Sequence, residues 1–329
     1  MNINSFVKLI KKHYPQETSK QLYTLSQQNT DSSTRDFLIK EFDVSRFTLP
    51  KEITHTFINN RNSTHITIIY GSITLHCVSP YDNAPPIRFL LRIVKRLICL
   101  IKMFSIQKSY TIWLLPIPHN RFFPNGSVVE PININGGYTY VNGTTIFVYR
   151  YEECAKVLLH ELLHHTIFDS YGKWTSEQLN RVRKECCIHS TVELNVNEAI
   201  VEFWAVLFEC LFISYEYSIP FDILLKKEQE WSYTQSYKLL KYQQKYFSEW
   251  KENTNAYCYI VLKTALLLNL EEFIKISTPY SSEILTSFII SNVITLKNRI
   301  STMNLKNVAT KEKLKFENSS MRMTLFGDI

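Results

Sequence analysis

The stretch that most constrains this chain is residues 151–165, which reads as one uninterrupted helix. It holds no glycine or proline and is rich in Leu, Ala, Glu and Lys, all strong helix formers. Within it stand His160, Glu161 and His164. Residues four apart share a helix face, with Cβ atoms roughly 5–6 Å from each other. His160 and His164 can therefore aim two imidazoles at one point, and Glu161 flanks that point one step along. Two nitrogen ligands, a neighbouring carboxylate and room for water are what a hydrolytic zinc site requires. The competing reading is a pair of satisfied histidines on a partly buried helix.

A chain of 329 residues can bury a large core, as one two-lobed domain or two smaller ones. Its 45% hydrophobic and 20% charged residues are those of a globular protein, not a disordered one. Only 7 glycines and 11 prolines interrupt it, so long helices are expected to dominate. The N-terminus, Met1 to His13, has the charges of an amphipathic surface helix and lacks the apolar core of a signal peptide. No run of 18 apolar residues occurs, so no transmembrane segment is expected. The nearest approach, residues 87–104, carries Arg88, Arg92, Lys95, Arg96 and Lys102. It reads as a core helix with a solvated basic edge, or else as a helix lying on a membrane surface.

The seven cysteines are an odd number with no Cys-x-x-Cys pair, and most sit in apolar stretches. They predict free thiols in a reducing, intracellular setting. Cys186, Cys187 and His189 lie together, but adjacent cysteines seldom chelate one ion. The net charge of +7 is spread over the N-terminus, residues 88–102, Arg181 to Lys184 and Lys306 to Lys315. Basic and aromatic residues are not interleaved, so specific nucleic-acid binding is not expected.

Taken in order, residues 1–45 look helical and polar, with a soft break at Thr30 to Thr34. Strand signals cover Thr54 to Ile58 and His65 to Val78, then a helix over 87–104 and a strand over Tyr110 to Leu115. Residues 132–140 and 144–149 read as strands joined at the hairpin signal Val141-Asn142-Gly143. The histidine helix follows, with Tyr171-Gly172 as a plausible later stop. Thr175 caps a helix to about Ile188. From Asn197 a helix that is apolar nearly all round carries Glu198, Glu202 and Glu209. Buried carboxylates need positive partners, and a nearby metal site would meet that need. Further helices are expected over 220–250, 256–268 and 282–296, and residues 321–326 could dock back on the core. No internal repeat or low-complexity segment is visible. The fold class is α+β.

A catalytic zinc takes three protein ligands and keeps one position for water. A metzincin would need glycine at 167 and histidine at 170, where Ile167 and Ser170 stand. His189 is one possible third ligand. The other lies in Asn197-Glu198-Ala-Ile-Val-Glu202, which resembles the glutamate helix of thermolysin-like gluzincins. The resemblance implies Glu198 as third ligand and Glu202 as the carboxylate that orients a ligand histidine. Thermolysin has aspartate at that second acid. Here 33 residues separate His164 from Glu198, within the gluzincin range.

The order of strands and helices also resembles a zincin core, with a backing helix, a small twisted mixed sheet and an active-site helix. That likeness divides the chain into an N-terminal helical segment (1–45), a sheet lobe with the histidine helix (46–172) and a helical lobe (173–329). It implies a zinc-dependent peptidase with one Zn2+, Glu161 as general base, and a peptide or protein substrate. It further implies that an edge strand beside the active helix binds substrate, with Gly136, Gly137 and Tyr138 as candidates. The downstream histidine of thermolysin has no counterpart after His189. Tyr257, Tyr259 and Arg322 are the candidates to stabilise the oxyanion. Short matches around Trp113, Asn135, Val148, Lys156 and Arg322 resemble zincin-like proteins of large DNA viruses, and so suggest a host-cell or virion location. The alternative function is a non-catalytic zincin-fold structural or assembly protein that keeps its zinc.

Overall fold

The computed structural model describes residues 2–16, 23–44, 49–140, 142–169, 174–276, 281–302 and 319–327. Helix α1 (Ile3–His13) precedes strand β1 (Tyr23–Asn29), α2 (Ser32–Val44) and α3 (Lys51–Ile58). Strands β2 (Ser63–Tyr70) and β3 (Ile73–Pro80) form a hairpin that turns at Gly71, where φ is +56°. Next come α4 (Ile87–Met103), β4 (Tyr110–Leu114), the short α5 (Pro131–Ile134), β5 (Gly137–Thr139), β6 (Thr145–Val148) and α6 (Cys154–Leu163). Beyond these the described elements are helical: α7 (Ser176–Cys186), α8 (Val196–Tyr217), α9 (Phe221–Tyr246), α10 (Lys263–Leu268), α11 (Leu270–Ile276) and α12 (Ser282–Thr302). A π-helical turn, Cys258–Leu262, leads into α10.

The six strands form one mixed sheet in the order β1-β2-β3-β4-β6-β5. The β3–β4 and β4–β6 pairs are parallel and the remainder antiparallel. Helices α4 and α6 pack on one face. The other face is covered by apolar side chains of α2 and α3, among them Leu38, Phe42, Phe57 and Ile58. The α+β class is thus present. A single buried cluster runs from Phe6 through α4, α6 and α8 to Met323, joining residues from all three segments drawn on the sequence.

Two elements differ from expectation in kind. Residues 23–29 form a strand inside a stretch expected to be helical. All seven are exposed, so no burial pattern marked them, and the strand is held by its ladder to β2. Residues 54–58 are helical, although their β-branched side chains suggested a strand. Thr54 and Thr56 send their hydroxyls back to the carbonyls of Pro50 and Glu52, at 3.3 and 2.6 Å. Thr54, Phe57 and Ile58 then share one buried face.

Smaller differences follow from local chemistry. Residues 131–134 are helical, and the edge strand is confined to Gly137–Thr139, so Tyr140 lies outside it. A Cβ on Gly137 would meet Val157 of α6 at 2.7 Å, so this position must stay bare for strand and helix to approach. Arg96 is not on a solvated edge. It is 1% exposed and pairs with Glu209 at 2.7 Å, supplying the positive partner that this glutamate required. Pro220 stands just before α9, which ends at Tyr246. Val141, Tyr171, Gly172 and Lys306 to Lys315 lie outside the described residues. Among the described residues no helix is long and apolar enough to cross a membrane.

Candidate metal centre

Helix α6 is shorter than 151–165 suggests. Glu153 is left-handed with φ +61°, and the helix starts at Cys154. His164 stands at its end, where its N–H still donates to the His160 carbonyl at 3.3 Å. The four-residue spacing therefore survives, and the two imidazoles meet with their Nε2 atoms 3.1 Å apart. Helix α8 packs along α6 and presents Glu198 in its first turn, where the helix dipole favours a carboxylate. Asn195 caps α8, and its side-chain amide donates to Glu198 Oε1 at 3.3 Å. The other oxygen, Oε2, lies 3.2 Å from His160 Nε2 and 3.6 Å from His164 Nε2.

Behind each imidazole stands a second carboxylate. Glu202, one turn beyond Glu198, accepts from His160 Nδ1 at 2.9 Å. Asp169 accepts from His164 Nδ1 at 3.1 Å. With both Nδ1 protons committed, both Nε2 lone pairs and a carboxylate oxygen converge on one point. Only a positive charge is at ease there. A tetrahedral zinc with bonds of about 2.0–2.2 Å spaces its donors about 3.3–3.6 Å apart. The triangle seen here, with edges of 3.1, 3.2 and 3.6 Å, lies within about 0.2 Å of that spacing and could hold such an ion. Among the described residues this is the one group of three or more His, Cys, Asp or Glu side chains that could hold a metal.

The surrounding carboxylates make this point strongly negative, which favours any cation there, a proton included. Burial opposes charge on His160 and His164, but the surrounding carboxylates outweigh it and raise both pKa values. Burial likewise works against the Glu202 charge, yet Lys156 and His160 hold its carboxyl down at about 2. Lys156 Nζ donates to Glu202 Oε1 at 2.7 Å. Glu161 is only 6% exposed, and burial pushes its pKa up. Its carboxylate has no hydrogen-bond partner among the described residues, so it is available to something else.

The three oxyanion candidates separate. Tyr259, on the π-helical turn, has its ring edge-on to His160 at 5.7 Å between centroids. Burial pushes its phenol well above the ordinary value, with Glu198, Glu161 and Glu202 adding to the shift. Tyr257 is fully buried elsewhere and donates to the Cys186 carbonyl at 3.3 Å, a structural role. Arg322 lies 3.9 Å from Glu153, just before the first turn of α6 and away from His164. His189 is not part of the group formed by His160, His164 and Glu198; its Nδ1 bonds the Thr191 hydroxyl at 2.8 Å. Cys186 is buried and Cys187 exposed, and they do not form a second cluster.

Sequence reasoning missed Asp169 and Lys156. Asp169 sits in a turn with no periodicity to flag it. Lys156 was legible, because it lies four residues before His160 on a helix whose other faces are apolar. Loss of a carboxylate behind a ligand histidine typically costs about 10–100-fold in metal affinity. Glu202→Gln and Asp169→Ala are each expected to lose zinc to a chelator faster by about that factor. Wild-type retention in Glu202→Gln would reduce Glu202 to the buried partner of Lys156. No protein-family model, curated protein or solved structure matches this chain.

Proposed function

We propose that this chain is a zinc-dependent peptidase of the gluzincin type, with a zincin-like arrangement of sheet and active-site helix. The observation that carries the reading is the convergence of His160, His164 and Glu198, with a separate carboxylate behind each imidazole. A structural zinc site has no use for a buried, unpaired Glu161 beside it. A zinc ion held by these three residues would acidify a water and polarise the scissile carbonyl. Glu161 takes the proton of that water and returns it to the leaving amine. Tyr259, kept protonated by its burial, is the group that donates to the carbonyl oxygen as it gains charge.

Strand β5 lies at one end of the sheet and against α6, the position from which an extended peptide can be held through its backbone. Tyr138 points its side chain into the opposite core and donates to Glu41 at 3.3 Å, so it does not select substrate side chains. Gly136 is held by its carbonyl, which accepts from Tyr149 N–H at 2.9 Å. The test is metal analysis of purified protein followed by a peptide-library cleavage screen with and without chelator. One zinc per chain and chelator-sensitive cleavage are expected. Stoichiometric zinc with no cleavage of any peptide would move the reading to the non-catalytic assembly protein.

A further inference from the structure

We propose that the C-terminal segment, residues 319–327, is an internal clamp that holds the metal centre together through Lys156; this rests on the zinc reading above. Four ionisable side chains that the proposed chemistry does not use are buried beside one another. Glu153 and Glu228 are 0% exposed, and Lys156 and Lys263 are 1% exposed. They come from the start of α6, from α9 and from α10, so no single helix can satisfy them.

The C-terminal segment touches all four, alongside Arg121 at Glu153 (3.0 Å) and Ser232 at Lys263 (2.7 Å). It enters by a bridge between Ser320 and Phe122, and Lys238 donates to the Ser320 carbonyl at 3.2 Å. Thr324 N–H donates to Glu153 at 2.7 Å, while its hydroxyl donates to Glu228 at 2.8 Å. Leu325 N–H adds a second donor to Glu228 at 2.9 Å. In the other direction Lys263 donates to the Met323 carbonyl at 2.8 Å, and Lys156 touches the Met323 sulfur at 3.9 Å. Gly327 closes the segment against Glu153, where a Cβ would come within 2.9 Å of backbone. A buried carboxylate or ammonium is tolerated only when its hydrogen-bonding capacity is met. Here the tail meets much of it with main-chain groups.

From this seat the path to the metal point is short. Lys156 Nζ holds Glu202 Oε1 at 2.7 Å, and Glu202 Oε2 holds His160 Nδ1 at 2.9 Å. Met323 covers the ammonium at the head of that chain. With the tail seated, the Lys156–Glu202 pair is buried and hydrogen-bonded, and Glu202 stays an acceptor for His160. With the tail displaced, water reaches Lys156 and the Glu202 carboxylate is free to turn. Lys156 and the tail are thus positioning groups, acting on His160 through Glu202.

The test uses full-length protein loaded with one zinc and measures the rate of zinc release to excess chelator. Lys156→Met, Gly327→Val and the milder Thr324→Val are compared with wild type. A control, Ile289→Ala in α12, cuts a buried side chain on a helix that packs against α7 and α10. Release is expected to rise about 10–100-fold in Lys156→Met and Gly327→Val, less in Thr324→Val, and not at all in the control. A synthetic peptide of residues 319–329 should slow release again in Gly327→Val. Wild-type release in Lys156→Met and Gly327→Val, or equal acceleration in Ile289→Ala, would overturn the clamp and leave the zinc reading standing. Wild-type protein that takes up no zinc would overturn both.

Discussion

Protein carrying Glu161→Gln is expected to bind zinc at wild-type occupancy and to lose peptide hydrolysis by about 10²–10⁴-fold, the usual contribution of a positioned general base. Glutamine fills the same space and cannot accept the proton. The same substitution carries a second expectation about stability. Glu161 is 6% exposed, without a hydrogen-bond partner among the described residues, and burial raises its pKa. A carboxylate kept in that state costs folding free energy. The neutral amide relieves part of that cost, so the melting temperature should stay level or rise while turnover disappears. A residue retained for structure would behave in the opposite way. Turnover within a few-fold of wild type, or a marked fall in melting temperature, would remove Glu161 from the chemistry.

Sequence legibility followed physical periodicity. Helices α6 and α8 could be read because their apolar residues repeat at helical spacing, and His160, His164, Glu198 and Glu202 sit at intervals of four on them. That spacing puts each pair on one helix face; that the two faces meet was implied by the resemblance to gluzincins, not by the spacing. Asp169 could not be found this way, because a turn has no period and its meeting with His164 depends on where the chain bends. Tyr257 and Tyr259 are two apart on a helical stretch and cannot face the same way. Which one faces His160 depends on the π-helical turn at Cys258–Leu262, whose extra residue per turn shifts the phase. Strand β1 carries no alternating apolar pattern, and α3 carries a misleading one, since β-branched propensity is a weak term that tertiary burial overrides. Arg96 looked like one of five solvated charges on α4. Its burial is set by Glu209 and Glu216, more than a hundred residues later in the chain.

Removing the third donor is expected to have the largest effect on the metal. Glu198→Ala leaves two imidazoles whose Nε2 atoms lie 3.1 Å apart and takes away the negative charge that faces both. Zinc content after dialysis should fall from one per chain to a small fraction. The loss should exceed the roughly 10–100-fold expected for Glu202→Gln, which keeps all three donors and only loosens one of them. Thermal denaturation gives an independent readout, because a ligand that binds only the folded state raises the melting temperature with the logarithm of its concentration relative to Kd. Added zinc should therefore stabilise wild type and leave Glu198→Ala unmoved. Glu198→Asp separates charge from reach. It keeps the carboxylate in the first turn of α8, where the helix dipole still favours it, but one methylene further from the imidazoles. Partial zinc binding is expected of that variant. His189 does not stand in for the lost oxygen, because it is not among the side chains that converge with His160 and His164. Full zinc occupancy in Glu198→Ala would strike Glu198 from the donor set and with it the proposed three-ligand site.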